Sequence, residues 1–338
     1  MDTDMTQLQL LLDHLTQPAF CVKEGTVVFC NAAAAASVQT GADARECFSD
    51  TDAVIPFGDC ELVLPQQEDC RAQTDALFFA SQAMRTPLSS LFAAASNLFP
   101  RLEELEDPAL QKSMAAFNRN FYQLLRLSCN LVDLRSVLSG QMQPDTEKTE
   151  MTGFVSALCE RTAPLLRLCG LQLVCEVPKK LFTAFVDRQM IERALLNLIS
   201  NAAKFTEPGG TVAVALEKSG ARLTVKVSDD GEGVEPELLP TVYARFNRPV
   251  ELDDPRWGFG AGLTLVRHIA RLHGGNLLLQ ASPEKGTTAC MMLSLRQKEE
   301  TTFRSPIRRP DYTGGFSHEL TELADVLPAS AFETCDVN

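Results

Sequence analysis

Residues 183–206 read TAFVDRQMIERALLNLISNAAKFT, and this stretch predicts a strand followed by a helix with two amide side chains on one face. Thr183 to Val186 is rich in strand-forming residues, and Asp187 is a residue type that caps helix N-termini. The predicted helix runs through Asn201, and Asn197 lies one turn before it on the same face. Taken alone, the pattern is explained better by amides on a solvated helix face than by a ligand site.

The chain on either side of this stretch alternates between helix and strand over residues 147–296. Helices are predicted at Met151–Cys169 and at about 262–273, with a long loop at 231–257. Further strands are predicted at Leu171–Val177, Thr211–Glu217, Arg222–Ser228, Asn276–Ala281 and Thr287–Leu295. This order predicts an α+β fold, an α/β sandwich in which a mostly antiparallel sheet lies under helices.

Three further short patterns follow the asparagine pair along the chain. Residues 229–233 read DDGEG, and the two glycines allow the backbone to turn and to approach a ligand without a Cβ clash. Residues 242–248 read VYARFNR, whose phenylalanine would by itself be read as a core aromatic. Residues 258–265 read GFGAGLTL and open a helix, where free backbone N–H groups favour phosphate. Each pattern is weak alone, so only their conjunction is informative.

Together these patterns resemble, in order and spacing, the Bergerat-type ATP-binding fold of histidine kinases, type II topoisomerases and chaperone ATPases. The resemblance to the sensor histidine kinases covers residues 71–296 and implies ATP and Mg²⁺ as cofactors. It implies that Asn201 binds Mg²⁺ through its side-chain oxygen, that Lys204 reaches a phosphate, and that Asp229 accepts from the adenine amino group. The other nucleotide-binding positions that it implies are Gly231, Gly233, Phe246, Gly258, Gly260, Gly262, Leu263 and Thr287.

Asn197 distinguishes between branches of this superfamily. The ATPases place a glutamate one turn before the magnesium-binding asparagine, where it activates water, and here that place is taken by Asn197. The sequence therefore offers no obvious general base for hydrolysis. We expect phosphoryl transfer or simple ATP binding rather than an ATP-hydrolysing motor.

Two long helices precede the ATP-binding region. The first is predicted from about Cys70 to Phe99, with a kink at Pro87, and the stretch Pro100 to Pro108 is predicted to be a turn. The second is predicted to end near Gly140. One helical hairpin cannot cover its own apolar stripe, so a homodimeric four-helix bundle is expected. The alternative is a monomeric hairpin packed on its own C-terminal domain.

Residues 81–88, SQAMRTPL, resemble the phosphoacceptor sequence SHELRTPL of the sensor histidine kinases. Gln82 stands in the place of the phosphorylated histidine, and Ala83 stands in the place of the neighbouring acid. The lone pair of a carboxamide nitrogen is delocalised into its carbonyl group, so Gln82 is not a nucleophile. We therefore predict that the chain does not phosphorylate itself, and no other histidine lies in the hairpin.

Thr86 lies one turn from Gln82 and shares its helix face. In the family, residues just after the phosphohistidine assist phosphatase action and the docking of response regulators. The resemblance therefore implies a surface that still binds a receiver domain. The alternative is that Pro87 preserves a bend while the site is idle.

The ends of the chain are less informative. Residues 5–17 predict a helix, and two strands follow around a turn at Glu24-Gly25, with a further strand pair expected in 48–70. This resembles a truncated PAS sensor segment. The expected domains are therefore a PAS-like segment, a dimerisation hairpin, an ATP-binding domain and a tail whose sequence HELTELADVL predicts a docking helix. Their predicted bounds are 1–69, 70–146, 147–297 and 298–338.

Composition excludes several classes of protein. The net charge of −13 argues against a nucleic-acid binder, which needs a basic surface. No stretch approaches the ~20 apolar residues that cross a bilayer, and the N-terminus lacks a secretion signal, so a cytoplasmic protein without a membrane span is expected. The eleven cysteines are scattered without a C-x-x-C pair, which favours reduced thiols over a zinc site.

Three functions remain open at this point. The first is a degenerate histidine kinase that binds Mg-ATP and regulates a two-component phosphorelay through a receiver domain or a partner histidine kinase. The second is a kinase active in trans, which phosphorylates a histidine on a partner subunit. The third is an interaction scaffold without nucleotide, which the retained Asn201, Asp229 and glycines argue against.

Overall fold

The computed structural model describes residues 19–23, 25–31, 34, 40, 42, 53–57, 60–64, 68–233, 261–282, 286–295 and 311–333. The chain divides into two compact units, residues 1–75 and 76–338. No helix in these described ranges combines the length and the apolar character needed to cross a membrane.

The first unit contains a four-stranded antiparallel sheet in the order β2-β1-β4-β3. Its strands are β1 (Phe20–Lys23), β2 (Thr26–Cys30), β3 (Ala53–Phe57) and β4 (Cys60–Leu64). Gly25 turns between β1 and β2 with a φ of 77°, a left-handed conformation that glycine adopts without strain. Both expected strand pairs are confirmed, while the predicted helix at 5–17 lies outside the described residues and the PAS likeness stays a prediction.

A helical hairpin follows along the chain, formed by α1 (Glu68–Glu103) and α2 (Pro108–Leu138), which confirms the predicted pair of long helices. The predicted end of α1 at Phe99 was wrong, because the helix continues through Pro100. Proline removes the hydrogen bond to the carbonyl of Ser96, and Ser96 is exposed, so water can take its place. The start of α2 follows the sequence: Asp107 accepts from the N–H of Ala109 over 2.8 Å, and proline occupies the first turn.

The α/β sandwich follows the hairpin and confirms the predicted fold class. A five-stranded sheet has the order β10-β11-β9-β8-β6, antiparallel except between β6 and β8, and β5 pairs with β7 in a separate ribbon. The elements are β5 (Glu147–Glu150), α3 (Met151–Leu168), β6 (Gln172–Glu176), β7 (Thr183–Val186), α4 (Arg188–Phe205), β8 (Thr211–Ser219), β9 (Arg222–Asp229), α5 (Ala261–Leu272), β10 (Asn276–Ser282) and β11 (Gly286–Ser294). Strand β5 was not predicted, and α4 extends one turn beyond the predicted end at Asn201.

The core of the sandwich follows the two periodicities of the chain. On α4 the fully buried Ile191, Leu195 and Ile199 recur every fourth residue, so one helix face covers the sheet. On β8 the buried positions alternate, which gives one face of the strand to the core. This packing fixes the orientation of α4 and therefore the direction of its amide side chains.

A C-terminal segment, residues 311–333, completes the second unit. It contains α6 (His318–Leu323), where the sequence predicted a helix, and a 3-10 turn at Ala329–Phe332. Ser317 caps α6 by accepting from the N–H of Leu320 over 3.2 Å. Four apolar side chains of the segment are fully buried: Leu323, Ala324, Leu327 and Phe332. The segment is therefore part of the folded core.

Candidate nucleotide-binding site

The N-terminus of α4 is held in place by a buried histidine. Asp187 caps the helix by accepting from the N–H of Met190 over 3.0 Å. The N–H of Asp187 donates to Nε2 of His273 over 3.0 Å, so Nδ1 carries the proton and donates to the carbonyl of Ile269. Burial lowers the pKa of His273, which keeps the ring neutral. The histidine thus ties the start of α4 to the end of α5.

Asn197 is buried and hydrogen-bonded on one side only. Its Nδ2 donates to the carbonyl of Arg193 over 3.0 Å and to Oε2 of Glu322 over 2.9 Å. Its Oδ1 is buried and has no hydrogen-bond partner among the described residues. The simple interpretation of a solvated helix face therefore does not hold for Asn197, although Asn201 is half-buried. An unpartnered buried acceptor is costly and indicates a place where a ligand donor or cation fits.

Gly262 brings the glycine-rich pattern against both asparagines. A Cβ atom at this position would lie 2.7 Å from Oδ1 of Asn197 and 4.0 Å from Nδ2 of Asn201. A larger residue would therefore force either the Asn197 side chain or α5 to shift. Leu263 follows and packs against the core, which orients the first turn of α5.

Asp229 ends β9 and organises the acidic turn. Its Oδ1 accepts from the N–H of Gly231 over 3.1 Å and from the N–H of Thr287 over 3.0 Å. Burial raises the pKa of Asp229, and the two backbone hydrogen bonds oppose this effect. Both of these hydrogen bonds use Oδ1, so Oδ2 is the oxygen that can meet a ligand donor.

Two glycines allow the close approach of backbone around Asp229. A Cβ atom on Gly231 would overlap the carbonyl oxygen of Phe205, and one on Gly286 would overlap the carbonyl oxygen of Asp229. The end of α4, the acidic turn and the start of β11 therefore form one continuous wall. Gly233 follows with a φ of 71°, a left-handed conformation.

Lys204 lies in the last turn of α4, and its Nζ is 3.5 Å from Oδ2 of Asp325. Three implied positions, Phe246, Gly258 and Gly260, lie outside the described residues. The structure thus places these residues in two clusters. Asn197, Asn201 and Gly262 form the first, and Asp229, Gly231 and Thr287 form the second. Both clusters lie beside α4.

A family model described as histidine kinase-, DNA gyrase B- and HSP90-like ATPase matches residues 186–297. The sensor protein KdpD of Clostridium acetobutylicum is 25% identical over 210 residues, which cover 61% of this chain and 23% of that protein. The adaptive-response sensory kinase SasA of Crocosphaera subtropica is 26% identical over 228 residues, which cover 65% of this chain and 59% of that protein. Residues 186–297 thus match this ATPase family model, and a longer stretch of the chain is similar to sensor histidine kinases.

A solved structure shares the fold of this chain. Full-length ShkA in complex with AMPPNP aligns with a TM-score of 0.53 at 22% identity, over 66% of this chain and 47% of that one. The match shows a shared fold. The chain spans less than two thirds of the length of the two curated kinases named above.

In the hairpin, Gln82 lies within α1, but its side chain is outside the described part of the structure. Ala83 and Thr86 on the same helix are exposed. The Arg85 side chain faces the C-terminal segment, where its guanidinium donates to the carbonyl of Tyr312 over 3.0 Å. The face that carries Thr86 is thus open, while the face of Arg85 is covered by the C-terminal segment.

Sequence reasoning missed the charged residues that surround α4. Arg126 of α2, Arg193 of α4, and Glu322 and Asp325 of the C-terminal segment form a largely buried network. One signal was available: in HELTELADVL the acidic residues recur every third position, which places them on one side of a helix. Nothing in the sequence indicated which basic residues they meet.

Proposed function

We propose that the chain binds Mg-ATP at α4 and acts as a signal-transduction protein of the histidine kinase family that does not phosphorylate itself. The observation that carries the proposal is the convergence of Asn197, Asn201 and Gly262, beside the turn held by Asp229. Three separate stretches of sequence supply these groups, and each supplies the residue type that a nucleotide site needs.

The residues present fit a magnesium nucleotide. The asparagine side chains offer neutral oxygens, which Mg²⁺ accepts beside phosphates and water, and Oδ1 of Asn197 is a buried acceptor in need of a partner. Asp229 presents Oδ2 for the amino group of adenine. Lys204 supplies a positive charge at the end of α4 for a phosphate. The nucleotide would supply the phosphoryl group, and these residues would bind and orient it.

The proposed loss of self-phosphorylation rests on the side chain at position 82. Phosphoryl transfer to protein needs a nucleophile with an available lone pair, and the amide of Gln82 has none. Ala83 also removes the carboxylate that would orient an imidazole. The loss of both groups favours a regulatory role, through a receiver domain or a partner kinase that docks near the exposed Thr86.

We further propose a homodimer through the hairpin. Leu91 and Leu98 on α1, and Leu105 in the turn that follows it, are spaced by seven residues and are 54%, 52% and 63% exposed. Leu124 and Leu138 on α2 are also exposed, at 42% and 53%. Exposed leucines at this spacing along the hairpin match the seam of a helical bundle, and a second copy of the hairpin would bury them.

Labelled ATP tests the proposal and its alternatives. Purified protein is incubated with γ-labelled Mg-ATP, first alone and then with hairpins of candidate partner kinases. We expect nucleotide binding without acid-labile label on this chain. Acid-labile label on the isolated chain would contradict the proposal. Label on a partner hairpin alone would support the kinase active in trans, and absence of nucleotide binding would support the scaffold.

A further inference from the structure

The carboxylate of Glu322 is fully buried beside the proposed nucleotide site. Its Oε2 accepts from Nδ2 of Asn197 over 2.9 Å, and its Oε1 accepts from Nε of Arg193 over 3.1 Å. Nε of Arg126 lies 3.4 Å from Oε2. A buried carboxylate is stable only when it is paired in this way, so α2, α4 and the C-terminal segment meet at a single side chain.

Asp325 extends the network toward the end of α4. Its Oδ2 accepts from NH1 of Arg126 over 2.8 Å and lies 3.5 Å from Nζ of Lys204. Asp133 of α2 pairs with the remaining side of Arg193. The cations near the asparagine pair are therefore already matched by carboxylates, two of which come from the C-terminal segment.

The segment is also anchored by apolar and backbone contacts away from this network. The ring of Phe316 lies 4.8 Å from that of Phe92 and 5.0 Å from that of Phe121. Nδ2 of Asn118 donates to the carbonyl of Phe332 over 3.0 Å. These contacts hold the segment on the hairpin. They therefore fix the position of the Glu322 and Asp325 carboxylates beside α4.

We propose that the C-terminal segment, residues 311–333, is an intramolecular clasp whose carboxylates at Glu322 and Asp325 bind Asn197 and Lys204, two residues of α4 that the proposed magnesium nucleotide also uses. Clasp docking and nucleotide binding then oppose each other. The inference rests on the proposed function, because it takes Asn197 and Lys204 as part of the nucleotide site.

Two physical effects produce this opposition. The phosphates of a nucleotide carry several negative charges, and a docked clasp places two carboxylates beside them. One of these, Glu322, is fully buried, where repulsion is poorly screened. The clasp also engages Lys204, which a phosphate would otherwise use. Because such coupling is reciprocal, a bound nucleotide weakens clasp docking by the factor by which the clasp weakens nucleotide affinity.

The same contacts connect the nucleotide site to the hairpin. Glu322 touches Arg193 on α4 and Arg126 on α2 at once, so its release loosens the link between the two helices. Tyr312 belongs to the same segment, and its backbone carbonyl accepts a hydrogen bond from the guanidinium of Arg85 on α1. Occupancy of the nucleotide site would therefore alter which face of α1 is covered.

Isosteric variants of the full chain test the clasp. Glu322→Gln, Asp325→Asn and the double variant remove charge but keep side-chain shape, and Glu333→Gln is the control, because Glu333 is exposed at the end of the segment. Mg-ATP affinity is measured by titration calorimetry. We expect the double variant to bind about 5- to 150-fold more tightly than the unaltered chain, with an intermediate gain for Asp325→Asn and none for Glu333→Gln. Asp325 is partly exposed, so that variant serves even if Glu322→Gln does not fold.

Hydrogen exchange supplies a readout that does not depend on activity. Amides of residues 318–333 should exchange faster in saturating Mg-ATP than without it. Equal affinities across the variants, together with unchanged exchange, would overturn the clasp while leaving ATP binding intact. A double variant that binds nucleotide when the unaltered chain does not would support the clasp most strongly. No binding by any variant would overturn the proposed function and the clasp together.

Discussion

Thr287 donates its backbone N–H to Oδ1 of Asp229 over 3.0 Å, which joins the start of β11 to the acidic turn after β9. The N–H of Gly231 uses the same oxygen. One carboxylate oxygen therefore shapes the wall of the proposed site, and the other remains for adenine. Because each oxygen has a different role, a single substitution of Asp229 can test the proposed contact with adenine and still keep the backbone hydrogen bonds.

Asp229→Asn should weaken Mg-ATP binding by about 10- to 100-fold, as expected for a lost hydrogen bond to a charged group. The asparagine oxygen can still accept both backbone N–H groups, while its NH₂ group would face the adenine amino group donor to donor. Calorimetry measures the affinity, and circular dichroism checks the fold. Asp230→Asn is the matched control, because Asp230 accepts from the N–H of Thr211 and its amide can do the same. Equal losses in both variants would contradict the assigned role of Asp229.

Gly262→Ala should disrupt the contact between α5 and α4, because the new Cβ would lie 2.7 Å from Oδ1 of Asn197. We expect a loss of about 1–3 kcal/mol in the free energy of unfolding, measured with denaturant, and a loss of nucleotide affinity. In an Asn197→Ala background, which lacks the clashing oxygen, Gly262→Ala should cost less stability than it does in the unaltered chain, and affinity should not return. Full affinity in the single variant would show that the two asparagines do not form the site.

Gln82→His combined with Ala83→Glu should restore some acid-labile self-phosphorylation. The substitutions return a nucleophilic ring nitrogen and a carboxylate to orient it. Incubation with γ-labelled ATP measures the label, and Gln82→Asn with Ala83→Glu is the control that lacks a nucleophile. If the histidine variant binds ATP but stays unlabelled, the proposed explanation for the inactivity, a missing acceptor alone, is insufficient.

Leu98→Glu should dissociate the proposed homodimer, because it places a charge in the middle of the exposed leucine stripe. Light scattering coupled to size exclusion measures the mass. Asn97→Glu is the matched control, since Asn97 is the exposed polar neighbour whose side chain bonds within its own helix. A monomeric mass for the unaltered chain would remove the dimer from the proposal.

The stability of the chain should fall as the pH rises from about 6.5 to 9. Burial would lower the pKa of His318, but hydrogen bonds and charge from Glu192 and Asp311 outweigh it and raise the pKa to about 9. A raised pKa stabilises the fold fully below the unfolded value of 6.5, and this stability is lost as pH passes through 9. The ring of Tyr312 stacks on His318, and Arg161 pairs with Glu192 from the other side.

Denaturant unfolding across this pH range measures the effect, which is at most about 3 kcal/mol. His318→Gln keeps a hydrogen-bond donor but does not titrate, so its stability should change less over the same range. Parallel curves for the two proteins would show that the ion pairs of His318 contribute no pH dependence.

Local patterns predicted much of the fold. The strand at Thr183–Val186 and the helix cap at Asp187 could be predicted from residue type, because strand propensity and capping depend on neighbours in sequence. The end of α1 was misjudged, since the cost of Pro100 depends on whether water reaches the carbonyl of Ser96. Strand β5 was missed, because its partner β7 lies more than thirty residues away.

The amino-acid sequence by itself determined the order of helices and strands, the spacing of the proposed nucleotide-binding positions, and the absence of a nucleophile at Gln82. These are properties of single side chains and of short periodic stretches. Only the tertiary structure decided that Glu322 meets Asn197, because the two lie 125 residues apart. Such a pairing depends on how α4, α2 and the C-terminal segment pack. The local periodicity of the sequence does not indicate which buried charged residues pair with each other.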